Sequence, residues 1–119
     1  MSALAPRLRQ RITFQEQVET RDSEGVLTVS WENAWLDSDT ELVDVPAEVL
    51  TGAGREFNAS GQVQAETTAR ITLRWFNGLV PTWRILWDGY VYNIGSIETD
   101  ATARREWRLR CTGGVSDGQ

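Results

Sequence analysis

Apolar and polar positions alternate with a period of two over most of this chain and almost nowhere with the period of a helix. The clearest case is residues 69–76, where Ile71, Leu73 and Trp75 alternate with Arg70, Thr72 and Arg74. One face is then apolar and the other polar, as a half-buried strand requires. Further on, residues 85–87 and 90–92 flank Asp88 and Gly89. A two-residue Asp-Gly loop accepts the positive φ angles of a type I′ turn, whose twist matches that of paired strands, so the spacing predicts a β-hairpin. Residues 69–76 are expected to lie beside that hairpin, joined to it by a looser connection over 77–82.

The same pattern recurs on either side. In residues 11–18, Ile12, Phe14 and Val18 stand against Thr13, Gln15 and Gln17. A turn cluster over 20–25 ends at Gly25, and Leu27, Val29 and Trp31 then line one face of a second strand reaching to about Trp35. These two strands form a wide hairpin. Val43, Val45, Ala47 and Val49 alternate with Asp44, Pro46 and Glu48. Proline cannot donate to a central ladder, so Pro46 points to an unpaired edge or a bulge. Trp107, Leu109 and Cys111 alternate with Arg108 and Arg110 in a last strand over 106–111, after a polar turn at 98–104. Gly52, Gly54 and Gly61 punctuate residues 51–61, within which 55–59 has room for one or two helical turns. Residues 1–8 read as a mobile arm and 112–119 as a flexible tail. The expected architecture is all-β: one domain, with a small antiparallel β-barrel of six to seven strands over residues 9–111, long loops and at most one short helix. Closure of such a sheet removes its exposed edges.

Length agrees with this, because 119 residues make one domain able to bury a core without disulfides. Six tryptophans are many for that length, and tryptophan is enriched at subunit interfaces as well as in cores. No apolar run approaches the ~20 residues that span a bilayer. Arg7, Arg9 and Arg11 precede no apolar segment of a secretory signal, so residence in the cytoplasm, with no membrane association, is the expectation. Cys111 is the single cysteine and falls in phase with Trp107 and Leu109, as a buried small apolar residue would. Histidine is absent, which removes the commonest general base and transition-metal ligand. The formal net charge of −5 argues against nonspecific binding to nucleic acid. All 12 basic residues are arginine, a residue suited to forked contacts with carboxylates; a GC-rich genome gives the same bias without such selection.

Candidate chemistry is sparse. Asp37, Asp39 and Glu41 have the opening spacing of a calcium loop, but such a loop needs glycine at its sixth position, where this chain has Leu42. A solvated acidic loop is the better reading, and no nucleophile or apolar pocket stands nearby to make the carboxylates an acid–base pair. Gly52 and Gly54 lack the βα context of a phosphate loop. Arginines beside aromatics (Arg74 with Trp75, Arg84 with Trp83, Arg108 with Trp107) could build a stacking platform for single-stranded nucleic acid. Alternation sends tryptophan and arginine to opposite faces in the first and last of these, which favours core packing. The sequence therefore predicts neither an enzyme nor a cofactor or metal site.

Taken in order, the short motifs form a recognisable series. Arg-Leu-Arg-Gln-Arg-Ile-Thr-Phe-Gln starts at Arg7 and Glu-Thr-Arg-Asp-Ser-Glu-Gly at Glu19, followed by Trp31 and Trp35. Gly-Arg-Glu-Phe starts at Gly54, Gln-Val-Gln-Ala-Glu-Thr-Thr at Gln62 and Arg-Ile-Thr-Leu-Arg at Arg70. Asp88, Gly89, Val91, Tyr92 and Ile94 lead to a final Arg-Glu-Trp-Arg-Leu-Arg-Cys. From about Arg7 to Cys111 the chain resembles the head-tail joining proteins of long-tailed bacteriophages, also called head closure, stopper or head-tail adaptor proteins. Its acidic segment 36–44 is longer than is usual in that family.

The resemblance implies a virion structural protein at the head-tail junction. There it would form a ring beneath the portal and adaptor proteins, closing the DNA exit channel after packaging and docking the tail. Its partners would be further copies of itself, portal and adaptor ring proteins, tail proteins, and double-stranded DNA passing through without sequence-specific binding. Two site expectations follow. Asp37, Asp39, Glu41 and Asp44 face or gate the channel, since acidic walls repel phosphate. Arg55, Glu56, Phe57, Gln62 and Gln64 contact a neighbouring subunit or the adaptor. The alternatives are a tail-side completion or terminator protein and a small nucleic-acid-binding barrel.

Overall fold

The computed structural model describes residues 4–52, 67–100 and 102–116. Seven antiparallel strands form one sheet: β1 (Gln10–Arg21), β2 (Leu27–Asn33), β3 (Val45–Gly52), β4 (Thr67–Arg74), β5 (Arg84–Trp87), β6 (Tyr90–Thr99) and β7 (Glu106–Ser116). Their order is β2-β1-β3-β4-β7-β6-β5, and β5 returns to pair with β1. Six strands therefore close into a ring, and β2 hangs from β1 outside it. The all-β, closed antiparallel sheet expected from the alternation is present.

Alternation and closure together produce the core. Ile12 and Phe14 of β1, Ile71 and Leu73 of β4, Ile85 of β5 and Leu109 and Cys111 of β7 are essentially inaccessible to solvent. Phe14 meets Phe76 edge-on at 6.0 Å and Trp83 at 5.7 Å between ring centroids. Trp75 stacks on Trp107 at 5.8 Å, and the Trp107 indole N–H donates to the Phe76 carbonyl at 2.9 Å. The aromatics beside arginines thus serve packing. Cys111 behaves as a small apolar residue, and burial pushes its thiol from 9.0 up to about 12. Asp88 and Gly89 have φ of 53° and 79°, as the type I′ hairpin between β5 and β6 demands. At Gly113, φ is 142° and a Cβ would lie 2.6 Å from the Val91 carbonyl oxygen, so the bulge between β6 and β7 admits only glycine there.

Four placements differ from the sequence expectation. β4 pairs with β3 and β7, with β7 between it and the β5–β6 hairpin, because the ring is completed by strands distant in sequence. β6 runs through Glu98 and Thr99, which pair with Arg108 and Trp107, so the polar turn after it is shorter. β7 continues to Ser116, with Thr112 paired to Asn93 and Val115 to Val91, across a Thr-Gly-Gly stretch that carries no apolar alternation. At the other end, Ala5–Arg7 form a 3-10 turn, Leu8 is buried, and Arg7 meets Glu48 at 2.7 Å, which ties down part of the expected arm. Pro46 sits where β3 pairs only with β1, before its pairing with β4 begins at Ala47, the half-free position the sequence implied.

Candidate functional site

Three surfaces stand out among the described residues. The first is the β1–β2 ribbon. β1 pairs with β3 through Gln10–Ile12 on one edge and with β5 through residues 13–15 on the other, then runs on with β2 alone. Leu27, Val29 and Trp31 share the ribbon's outward face with Gln17, Glu19 and Arg21. Leu27 and Val29 are 44% and 45% exposed. The Arg84 guanidinium lies 4.4 Å from the Trp31 ring centre and donates to the Gln15 side chain at 2.9 Å. Gln15 in turn donates to Asn33 at 3.1 Å, and Asn33 to Glu41 at 2.9 Å. This line of contacts fastens the ribbon base to the ring.

The second surface is the acidic loop between β2 and β3. Ala34 donates its N–H to the Phe14 carbonyl, Leu42 donates to Ala34, and Phe14 donates to Leu42. Ala34 and Leu42 are buried, so the loop's two ends are clamped against β1 while residues 35–41 project. Asp37 accepts the Asp39 N–H at 2.8 Å, and that bond, with further support from Thr40, holds its carboxyl below the usual range. Glu41 is held by Asn33, whereas the carboxylates of Asp39 and Asp44 are exposed. Asp44 adopts φ of 54° at the turn into β3. Of the four acids expected at a gating loop, Asp37, Asp39 and Glu41 share one exposed excursion, and Asp44 lies beyond its clamp at the turn into β3. Trp35, Leu36 and Val43 are exposed among them, 49%, 39% and 37% respectively. Among the described residues no group of three acidic, histidine or cysteine side chains could hold a metal ion.

A third surface was missed by sequence reasoning. The outer faces of β3, β4, β7 and β6 carry Glu48, Leu50, Arg70, Thr72, Arg108, Arg110 and Glu98 around a shallow groove. Register sets Arg70 directly opposite Arg110, and Thr72 opposite Arg108. Each arginine was legible as an outward residue; their juxtaposition was not, since it depends on β4 pairing with β7. The other expected interface residues, Arg55, Glu56, Phe57, Gln62 and Gln64, lie outside the described residues.

Comparisons with known proteins bear on what these surfaces serve. The solution structure of protein SF1141 from Shigella flexneri 2a is 30% identical, with a TM-score of 0.62 over 91% of this chain and 94% of that one. A chain of the virion of a native gene transfer agent particle superposes with a TM-score of 0.65 over 93% and 98%, at 20% identity, and shares the fold. Among proteins of curated function, none matches the sequence. A family model described as phage head completion protein matches residues 3–114. The chain belongs to the phage head completion protein family and is a virion structural protein.

Proposed function

We propose that this protein assembles as a ring at the head-tail junction, closes the DNA exit channel once packaging ends and gives the tail its docking surface. The observation that carries this reading is the family match over residues 3–114, nearly the whole chain. The geometry suits it in two ways. A closed sheet with a projecting ribbon and loop offers unlike surfaces on different sides, as head-to-tail contacts around an axis need. A net charge of −5 keeps such a ring from adhering to the DNA that passes through it. In this reading the partners are copies of the same chain, the portal and adaptor proteins above and tail proteins below.

The test is to mix the purified protein with DNA-filled, portal-bearing capsids and measure bound mass by light scattering together with DNA leakage. Capsids that take up the protein and stop leaking support the reading. Uptake by isolated tail tubes, with none by capsids, moves the protein to the tail side and overturns it. Among the described residues no helix is long and apolar enough to cross a membrane.

A further inference from the structure

The outer face of the sheet holds charge that no described residue answers. Arg70 and Arg110 stand directly opposite each other on β4 and β7, both exposed. Like charges in that relation destabilise a sheet. Their neighbours on the same face are neutralised: Arg7 by Glu48 at 2.7 Å, Arg108 by Glu106 at 3.0 Å and Asp100 at 3.4 Å. Among the described residues, neither Arg70 nor Arg110 makes an ion pair or side-chain hydrogen bond. Leu50, directly opposite Arg70 on the β3 side, is 55% exposed at the same groove. Phosphates would use the arginines but gain nothing from Leu50, whereas an acidic protein segment carrying apolar side chains would use all three.

Such a segment exists on the far side of the same molecule. Around the closed ring, β1 and β7 occupy opposed positions, and the acidic loop is clamped to β1. Among the described residues it makes no ion pair with the arginine pair of its own chain. It joins Asp39 and Glu41 to exposed Trp35 and Leu36. We propose that Arg70, Arg110 and Leu50 receive the acidic loop of a second copy, with Asp39 and Glu41 facing the two guanidinium groups and Trp35 and Leu36 packing on Leu50. Each copy then both gives and receives, the heterologous contact that closes rings. This rests on the ring reading and supplies its contact. It also assigns the loop to the subunit boundary, so its acids would line the channel only where they emerge from that boundary.

The test uses the whole protein in particles produced by a host whose own copy of the gene carries the variants. One variant reverses the face (Arg70→Glu with Arg110→Glu), one reverses the loop (Asp39→Arg with Glu41→Arg), and one carries all four changes. Asp37 is left alone because its carboxylate shapes the loop. Each single reversal is expected to lower incorporation about tenfold or more, since it sets like charges together in a contact. The four-fold variant is expected to restore incorporation. Thermal melting of each purified variant at the wild-type temperature separates loss of contact from loss of fold. Normal incorporation of either single reversal overturns the proposal. So does failure of the four-fold variant to recover while it melts normally, which would give the arginines another partner. Salt-sensitive binding of duplex DNA by the wild type that disappears on face reversal would assign them to phosphate instead. Absence of the wild-type protein from particles would count against the ring reading itself, a result distinguishable from the others.

Discussion

β1 is two strands in one. Its first half, from Gln10 to Gln15, is flanked on both edges and buries Ile12 and Phe14 completely. Its second half, from Glu16 to Arg21, pairs only with β2, where Leu27, Val29 and Trp31 alternate just as regularly yet none of them is buried. Period-two alternation thus states which side chains share a face and leaves open whether anything covers it. In the ring, coverage comes from strands far away in sequence. In the ribbon the apolar face of Leu27, Val29 and Trp31 is left to solvent or to a partner, as a two-stranded ribbon alone cannot build a core.

The contrast can be tested from its strong side downward. Phe14→Ala should cost about 3–5 kcal/mol, measured by denaturant unfolding, because its ring is enclosed by Phe76 and Trp83 with no room to collapse. A cost below about 1 kcal/mol would mean that the ring is not the stable unit. Alkaline titration comes next. Burial raises both Cys111 and Tyr92 above their ordinary values, so the folded state favours their neutral forms. For Cys111 that stabilisation is complete below pH 9.0 and is lost as pH climbs towards about 12. Within that window Cys111 contributes a slope of about 1.4 kcal/mol per pH unit, and Cys111→Ala should flatten the curve. Gly113→Ala should cost about 1–3 kcal/mol through its left-handed φ and the clash with Val91. In the ribbon, Trp31→Ala removes the contact with Arg84 and should cost only about 0.5–1 kcal/mol. Val29→Thr should change stability by less than about 0.5 kcal/mol, and a larger loss would show that the ribbon face is covered within the chain.

Most of the strands were legible because their inward residues are apolar and their turns carry diagnostic residues, Asp88 and Gly89 above all. What alternation could not convey was which strand lies beside which. β4 was expected next to the hairpin at 85–92, yet β7 separates them, and no local feature of Ile71 or Leu109 encodes that choice. The end of β7 was illegible for another reason: Thr112 and Gly113 contribute backbone hydrogen bonds to β6, and backbone pairing leaves no side-chain signature. The candidate surfaces divide in the same way. The acids at 37–44 are contiguous and could be read directly. Arg70 and Arg110 are 40 positions apart by their numbering and meet only through register.

The line along which the sheet closes has a kinetic consequence. Only three residue pairs join β1 to β5, Thr13 with Leu86, Phe14 with Ile85 and Gln15 with Arg84, and they bring together the most distant parts of the chain among the paired strands. Contacts of such large sequence separation repay their loop-closure entropy late, so this seam is expected to zip last in folding and open first in native fluctuations. It also lies at the foot of the ribbon, under the Arg84 clamp on Trp31. A partner that grips the ribbon therefore holds the latch of the ring as well, and docking and closure of the fold become one mechanical event.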